Sequence, residues 1–280
     1  MKEKSTVSAV ILMTLVTAVL LWGINLWIHY EAPEETQEHV VTIDVPEVAE
    51  PESVEPEATE PEAPEPELMP MEDFLDAAEN EFIRKSYTKL FEIYDYEAFM
   101  TRTDIPHYFQ TFYPQRFATG SIQTSGCGIT CLSMVVSHLF DTTITPDMML
   151  VYRGGRDPAS AMEKGIREMQ LNCERYTGMA AAEHLDEVLE EGRLVIALMS
   201  SKSIFTDYGH FILITGKTED GRYTVNDPNL ENYYKIYYKD EFMNGFTRQH
   251  ITSGLAGIYI FDLKEGFEGD PSLLPNAQQK

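Results

Sequence analysis

Basic residues are scarce in this chain of 280 residues, because 21 Lys and Arg stand against 46 Asp and Glu and give a formal net charge of -25. Such a surface repels a phosphate backbone, which excludes nucleic-acid binding through a basic patch. Cysteine is scarce as well, with three residues. A disulfide-stapled small protein would need more cysteines in a shorter chain. The sequence therefore describes an acidic protein of one or two domains with an ordinary hydrophobic core.

The sequence signatures of a metal or cofactor site are also missing. It contains no glycine-rich phosphate loop, no HExxH zinc pattern and no paired Cys-x-x-Cys. Its acidic stretches lack the alternating ligand spacing of an EF-hand loop. We therefore predict that the protein uses neither a metal ion nor a dissociable cofactor.

An apolar run over about residues 7–28 is the first feature present. At about 1.5 Å per residue it is long enough to cross the hydrocarbon of a bilayer. Lys2 and Lys4 precede the run and Glu31 follows it, so the positive-inside rule predicts a cytoplasmic N-terminus. No small-x-small cleavage site follows, which favours an uncleaved signal-anchor over a removed signal peptide. The predicted localisation is the cell membrane, single-pass, with an extracytoplasmic C-terminal domain.

Acids and prolines are concentrated between Glu31 and Pro70, which hold fourteen acids, eight prolines and no Lys or Arg. Proline favours extended polyproline II and carboxylates repel one another, so this segment is predicted to be a stiff, solvated spacer. A binding site for a basic partner or for calcium is the less favoured interpretation.

The pattern changes to that of a folded domain at Met71. Apolar residues at helical spacing predict one amphipathic helix over about 72–95. Helices mostly precede strands in the remainder, which predicts an α+β fold and not a doubly wound parallel sheet. The predicted helices are 127–140, 146–152, 159–170 and 182–191, and the predicted strands are 194–199, 210–216, 222–227, 233–238 and 257–263.

Cys127 stands between Gly126 and Gly128 at the predicted start of a buried helix. The positive end of the helix dipole and the free amides of the first turn favour a thiolate there. The small neighbours would leave room for a substrate carbonyl. The alternative is a small cysteine buried in the core, which is what we expect of Cys131 and Cys173.

His210 opens a predicted central strand, and Asp227 ends the next strand, which a proline stops. If Lys217 pairs with Arg222 across the turn, His210 becomes the diagonal neighbour of Asp227 on one face. A slip of one residue would reverse that face. The carboxylate would fix the imidazole tautomer while the other ring nitrogen serves a thiol. A lone histidine is more often structural, but the nearby carboxylate favours a catalytic one.

Together these three residues form a papain-like nucleophilic constellation, and their surroundings add a family resemblance. Over about residues 106–263 the chain resembles the bacteriocin-processing (double-glycine leader) cysteine peptidase family and its stand-alone extracytoplasmic relatives. The segments that carry the resemblance are Ser125-Gly126-Cys127-Gly128, Gly209-His210-Phe211 and Val225-Asn226-Asp227-Pro228.

The resemblance implies a papain-like α+β fold, with the cysteine on a central helix of an N-terminal helical part and the His and Asp on an antiparallel sheet. It also implies that Cys127 is the nucleophile, His210 the general base and Asp227 the residue that orients it. A family glutamine upstream of the cysteine completes the oxyanion hole. The segment from Tyr113 to Arg116 is similar to the relatives' tyrosine-x-glutamine segment, which favours Gln115, with Gln123 as the fallback.

The sequence thus predicts a membrane-anchored cysteine peptidase-like hydrolase whose partners are a peptide or protein substrate and, through its N-terminal helix, the membrane. A cell-wall peptidoglycan amidase or endopeptidase with the same chemistry remains an alternative, as does a non-catalytic surface binding domain on a stalk. The predicted organisation is a cytoplasmic tail (1–6), a transmembrane signal-anchor (7–29), an acidic Pro-Glu linker (30–70), a helical extension (71–105), a papain-like domain (106–263) and a C-terminal tail (264–280).

Overall fold

The structure, a computed structural model, describes residues 68–152, 169–267 and 269. The predicted signal-anchor, nearly all of the acidic linker and most of the helix predicted over 159–170 lie outside these residues. Among the residues that are described, no helix combines the length and the apolar character needed to cross a membrane.

Helices and strands alternate irregularly along this part of the chain, and their mixture confirms the α+β prediction. Short 3₁₀ turns cover Gln110–Phe112 and Ile236–Tyr238. The helices are α1 (Met71–Asp76), α2 (Glu81–Ile93), α3 (Tyr96–Met100), α4 (Ile122–Ser125), α5 (Cys127–Leu139), α6 (Met149–Tyr152), α7 (Met179–Glu190), α8 (Leu230–Tyr233), α9 (Lys239–Asn244) and α10 (Arg248–Thr252). The strands are β1 (Arg116–Phe117), β2 (Gly120–Ser121), β3 (Leu171–Thr177), β4 (Val195–Met199), β5 (His210–Lys217), β6 (Tyr223–Asn226) and β7 (Leu255–Leu263).

Five of these strands form one antiparallel sheet in the order β3-β7-β4-β5-β6. The remaining two, β1 and β2, pair with each other just before α4. Because β5 and β6 are adjacent and antiparallel, the first residue of β5 and the residue after β6 lie at the same end of the sheet. Those residues are His210 and Asp227.

The β5–β6 hairpin departs from the predicted register at its turn. Lys217 pairs with Tyr223 and not with Arg222. A bulge between Ile214 and Gly216 then shifts the register by one residue, so that Leu213 pairs with Asn226. The predicted register also placed Leu213 opposite Asn226. It is therefore wrong at the turn and right at the end where His210 lies, because the bulge absorbs the extra residue.

The two faces of the sheet pack against different helices because side chains alternate along each strand. On one face, Ile196 and Leu213 join a cluster with the apolar side of α5, which includes Leu132, Met134, Val135 and Val136. On the other face, the strands pack against α7 and a large group of aromatic side chains. That group includes Tyr94, Phe99, Phe109, Tyr223, Tyr233, Phe242 and Phe246.

The single helix predicted over 72–95 is wrong, because this region forms α1, α2 and α3. Asn80 caps α2 by accepting hydrogen bonds from the amides of Phe82 and Ile83, both at 3.0 Å. Asp95 caps α3 in the same way, through the amide of Ala98 at 2.9 Å. Short polar side chains compete with helix hydrogen bonds in this manner, so they begin new helices within an otherwise helical apolar pattern.

The strand predicted over 233–238 is also wrong. This stretch is the end of α8 followed by a 3₁₀ turn. Asn229 caps α8 through the amide of Glu231, and the carbonyl of Tyr233 accepts a hydrogen bond from the Tyr94 hydroxyl at 3.0 Å. Tyr233 and Tyr238 pack in the aromatic cluster, and this packing overrides the local β propensity of the segment.

Candidate active site

Cys127 is the first residue of α5, and one residue, Gly126, separates it from α4. The Gly126 amide donates to the carbonyl of Ile122 at 2.7 Å. A Cβ atom at Gly126 would lie 2.5 Å from that carbonyl oxygen, which no side chain tolerates. The glycine therefore permits the sharp join that presents Cys127 at the start of the helix.

The Cys127 thiol is half-buried and hydrogen-bonded to His210 and to the backbone amides of Phe211 and Gly128. Burial acts to raise the pKa of the thiol. The contacts with His210 and with the two amides act in the opposite direction and outweigh it, so the pKa of Cys127 is lowered. Such neighbours at a helix N-terminus favour the thiolate form of a cysteine.

The His210 imidazole lies between the thiol and a carboxylate. Its Nε2 is 2.7 Å from Oδ1 of Asp227, and Asp227 is 0% exposed. Burial alone would lower the pKa of His210, but the charge and hydrogen bond of Asp227, followed by those of Cys127, raise it to about 10. The opposite shifts at Cys127 and His210 favour a thiolate–imidazolium pair across neutral pH.

The Asp227 carboxylate is held by two further hydrogen bonds. The Asn229 amide donates to Oδ1 at 2.8 Å, and Nδ2 of Asn232 donates to Oδ2 at 2.6 Å. Asn232 also donates to the carbonyl of Phe205 at 3.0 Å, which ties it to the loop before β5. A buried carboxylate requires such partners to remain charged. Asn232 is therefore a positioning residue that the sequence did not reveal, because it lies between two predicted strands, in a stretch for which no element was predicted.

A second histidine contacts the backbone of the same aspartate. Nε2 of His107 is 3.0 Å from the carbonyl oxygen of Asp227 and 3.3 Å from the Tyr233 hydroxyl. A carbonyl only accepts, so Nε2 carries the proton and Nδ1 does not. Burial, and then the positive charge of Arg102, lower the pKa of His107 to about 3 and keep the ring neutral. The sequence analysis gave His107 no role, since its contact with Asp227 depends on the fold of the chain before β1.

Three glutamines among the described residues precede Cys127, and they occupy different positions. Gln110, which the sequence analysis did not name, donates through its backbone amide to the Pro228 carbonyl and through Nε2 to the Gln123 carbonyl, each at 3.0 Å. It thereby joins the residue after Asp227 to the segment before the nucleophile. The Gln123 side chain is exposed. The Gln115 carbonyl accepts from the Ile122 amide at 3.0 Å, and Oε1 of Gln115 is buried without a hydrogen-bond partner in the described structure.

The other two cysteines differ from the nucleophile candidate and from each other. Cys131 is buried, as expected of a core residue, and burial followed by the charges of Cys127 and Asp227 raises its pKa well above the usual value. The expectation of a core position for Cys173 is wrong, because this residue is exposed on the edge strand β3.

In the part of the chain that the structure describes, no group of three or more His, Cys, Asp or Glu side chains could hold a metal ion.

Comparison with known proteins assigns the chain to a family. The model of the Peptidase_C39 like family matches residues 102–253, which is more than half of the chain. The chain belongs to the Peptidase_C39 like family. This membership confirms, at the level of the family, the resemblance seen in the three short segments. The matched range begins after α3, so the three helices of the extension precede the part shared with the Peptidase_C39 like family.

A crystal structure of a Bacillus anthracis protein assigned to the C39-like peptidases is similar to this member of the Peptidase_C39 like family. The similarity covers 58% of this chain and 96% of the other, with 11% sequence identity and a TM-score of 0.38. A likeness of this strength supports no conclusion about the site or the substrate. Curated proteins gave no match.

Proposed function

We propose that this member of the Peptidase_C39 like family is a cysteine peptidase that cleaves peptide bonds through an acyl-enzyme on Cys127. The observation that carries the proposal is the continuous hydrogen-bonded series from the Cys127 thiol through His210 to the buried Asp227 carboxylate. A nucleophile, a base in contact with it, and a third group that orients the base are the minimum set for this chemistry.

In the proposed reaction the Cys127 thiolate attacks the carbonyl carbon of a peptide bond, and the carbonyl electrons move to oxygen. The tetrahedral intermediate collapses to a thioester as the His210 imidazolium donates its Nδ1 proton to the departing amine. Neutral His210 then takes a proton from water, whose oxygen attacks the thioester. Release of the carboxylic acid product restores the thiolate and the imidazolium. Asp227 stays ionised throughout and holds Nε2 of the ring.

The oxyanion of the intermediate needs donors, and the free amides in the first turn of α5 lie beside the sulfur. We propose Gln110 as the side-chain donor in preference to Gln115 and Gln123. The support is that one hydrogen of its Nε2 is used by the Gln123 carbonyl, while its backbone is anchored at Pro228, so the second hydrogen is left for a ligand beside the site.

Replacing each glutamine with Ala separates the three candidates. The variant that removes the oxyanion donor should lose about 10²-fold in kcat. The other two should stay within about 3-fold of the wild type. If Gln115→Ala or Gln123→Ala gives the large loss and Gln110→Ala does not, the assignment of Gln110 is wrong.

The substrate is proposed to be a peptide with an apolar residue near the cleaved bond. Tyr208 is 84% exposed two residues before His210, and Ile236 and Tyr237 are 74% and 69% exposed in the 3₁₀ turn after α8. Large apolar side chains on a surface favour an apolar partner. The two loops are tied together, because the Tyr238 hydroxyl donates to the carbonyl of Ile204.

The proposal is tested by incubating the purified full-length chain with a proteome-derived peptide library and identifying new termini by mass spectrometry. Cys127→Ala is the control for contaminating peptidases. Cleavage that depends on Cys127 supports the proposal. A parallel digestion of purified peptidoglycan distinguishes the cell-wall amidase or endopeptidase alternative. Cleavage of neither substrate class, by a protein whose Cys127 also shows no elevated reactivity, would favour the non-catalytic binding domain.

We further propose that the domain is extracytoplasmic and held at the membrane by residues 7–29. The support is the apolar run flanked by Lys2 and Lys4 on one side and acids on the other. Protease added to intact cells should release a soluble fragment that begins in the acidic linker. Protection of the domain until the membrane is broken would show the opposite orientation.

A further inference from the structure

A cavity of about 550 Å³ lies between the helical extension α1–α3 and the chain over residues 103–113. Its volume is in the range of sites that hold small organic ligands. Most of its wall comes from residues before or at the start of the range matched by the family model, and neither Cys127 nor His210 lines it. Aromatic side chains form much of the wall, among them Phe74, Tyr87, Phe99, Phe109, Phe112 and Tyr113.

Arg102 lines this cavity, and only part of its guanidinium group is hydrogen-bonded within the described residues. Its Nη2 donates to Oδ1 of Asn226 at 2.5 Å and to the carbonyl of Val225 at 3.2 Å. Its Nε and Nη1 are buried and have no hydrogen-bond partner in the described residues. Glu79 and Asp104 also line the cavity, but both are exposed and neither contributes to the hydrogen bonds of Arg102. A buried guanidinium without an anion is costly, so the position favours an anionic ligand.

His107 supplies a second unsatisfied group in the same wall. Its Nδ1, which carries no proton because Nε2 donates to the Asp227 carbonyl, is buried and without a partner among the described residues. Arg102 and His107 both pack against the ring of Phe99: the guanidinium carbon lies 5.1 Å from the ring centre, and the imidazole centre lies 5.9 Å from it. The cavity thus offers donors and one acceptor near a single aromatic ring.

We propose that this cavity binds a small 2-hydroxy or 2-amino carboxylate with an aromatic or bulky apolar side chain. The carboxylate accepts hydrogen bonds from Nε or Nη1 of Arg102. The adjacent hydroxyl or ammonium donates to Nδ1 of His107, and the apolar body packs on the aromatic wall. The site is separate from the peptidase site, and it stands whether or not the chain cleaves peptides.

The test uses the full-length chain carrying Cys127→Ala, with binding measured by isothermal titration calorimetry. The probes are 3-phenyllactate, L-phenylalanine, 3-phenylpropionate and the uncharged 3-phenylpropionamide. Phenyllactate or phenylalanine should bind most tightly, and the amide should bind at least about 10-fold more weakly than phenylpropionate, because charge-assisted hydrogen bonds are about twice as strong as neutral ones. Comparing the affinities for phenyllactate and phenylalanine shows whether the site prefers a hydroxyl or an ammonium group.

Substitutions in the cavity wall test whether the probes bind in this cavity. Arg102→Gln should weaken carboxylate binding by about 10-fold or more, and Ala78→Trp, which fills the cavity from its wall, should abolish it. Ala98→Trp is the matched control, since Ala98 is exposed on α3 and does not line the cavity. If Arg102→Gln does not fold, Ala78→Trp still tests whether the ligand binds in this cavity, and the amide probe still tests whether binding needs the carboxylate. Equal binding of carboxylate and amide, binding that survives Ala78→Trp, or no binding of any probe at about 10 mM would each overturn the proposal.

Discussion

Two histidines contact Asp227 from opposite sides, and their pKa values are shifted in opposite directions. On the carboxylate side, His210 has its pKa raised to about 10, although burial acts to lower it. On the carbonyl side, His107 has its pKa lowered to about 3, first by burial and then by the charge of Arg102. The two rings share a residue type and a neighbour, and burial acts to lower the pKa of both. The nearest full charge opposes this effect at His210 and adds to it at His107.

His210 is placed for chemistry, whereas His107 is placed to support the fold. His210 is held as an imidazolium beside a half-buried thiol, which suits a general acid and base. His107 is held neutral in an aromatic cluster, where it donates one hydrogen bond to a carbonyl. We therefore expect substitutions on the carboxylate side to change rates and substitutions on the carbonyl side to change stability.

The largest effect is expected from removing either partner of the thiolate–imidazolium pair. Cys127→Ala and His210→Ala should each reduce hydrolysis by about 10⁴-fold or more, and the double variant should be no slower than either single one, because residues that act as a unit are strongly non-additive. Single-turnover kinetics on a cleaved library peptide gives the measurement. Additive losses in the double variant would contradict a shared role.

A smaller loss is expected from Asp227→Asn, which preserves the size of the side chain but removes its charge. The pKa of His210 should fall, the ring should lose its fixed tautomer, and the rate should drop by about 10²-fold or more while a residual rate remains. Asp207→Asn is the matched control, since Asp207 is exposed in the loop before His210. Full activity in Asp227→Asn would show that the carboxylate does not orient the base.

The smallest effect on rate is expected from His107→Phe on the carbonyl side. Hydrolysis should stay within about 3-fold of the wild type, while the free energy of unfolding should fall by about 1–3 kcal/mol, because the Asp227 carbonyl loses its donor. Urea denaturation at neutral pH measures this loss. A rate loss as large as that of Asp227→Asn would remove the distinction between the two sides.

The pH dependence of stability in the same variant tests whether His107 is neutral in the folded protein. A histidine whose folded pKa is depressed contributes stability that is present above its unfolded pKa of about 6.5 and is lost as the pH falls toward the folded value of about 3. His210, with its raised pKa, contributes stability that is present below about 6.5 and is lost as the pH rises through about 10. His107→Phe should therefore flatten the loss of stability between pH 6.5 and pH 4. An unchanged slope would mean that His107 is not held neutral.

The sequence predicted the helix start at Cys127 and the closeness of His210 to Asp227, because helix starts and hairpin neighbours are local features. The grouping of the cysteine with these two residues came from the combination of residue types and from the family resemblance. The sequence did not predict Asn232, Tyr233 or His107 around the aspartate. Asn232 and Tyr233 reach Asp227 through the capped turn that follows it, and His107 reaches it from 120 residues away in the chain. Local periodicity carries no information about such contacts.

The hairpin shows how a sequence prediction succeeds at one end and fails at the other. A two-residue repeat predicts a face but not a bulge, and the bulge between Ile214 and Gly216 restored the register at the site. The break between α2 and α3 was missed for a similar reason. In the sequence Asp95 fits the polar face of one continuous helix, whereas in the structure its side chain caps α3.

The most direct test of the thiolate–imidazolium pair is the rate of alkylation at each cysteine of the folded full-length chain. The chain is treated with limiting iodoacetamide at about pH 6 and the labelled sites are found by peptide mapping. Cys127 should be labelled well before the exposed Cys173 and before the buried Cys131. The reason is that an ordinary thiol has a pKa of about 8.5 and is protonated at pH 6. In His210→Ala the labelling of Cys127 should slow toward that of Cys173. Labelling of Cys127 no faster than that of Cys173, or unchanged by His210→Ala, would contradict the account.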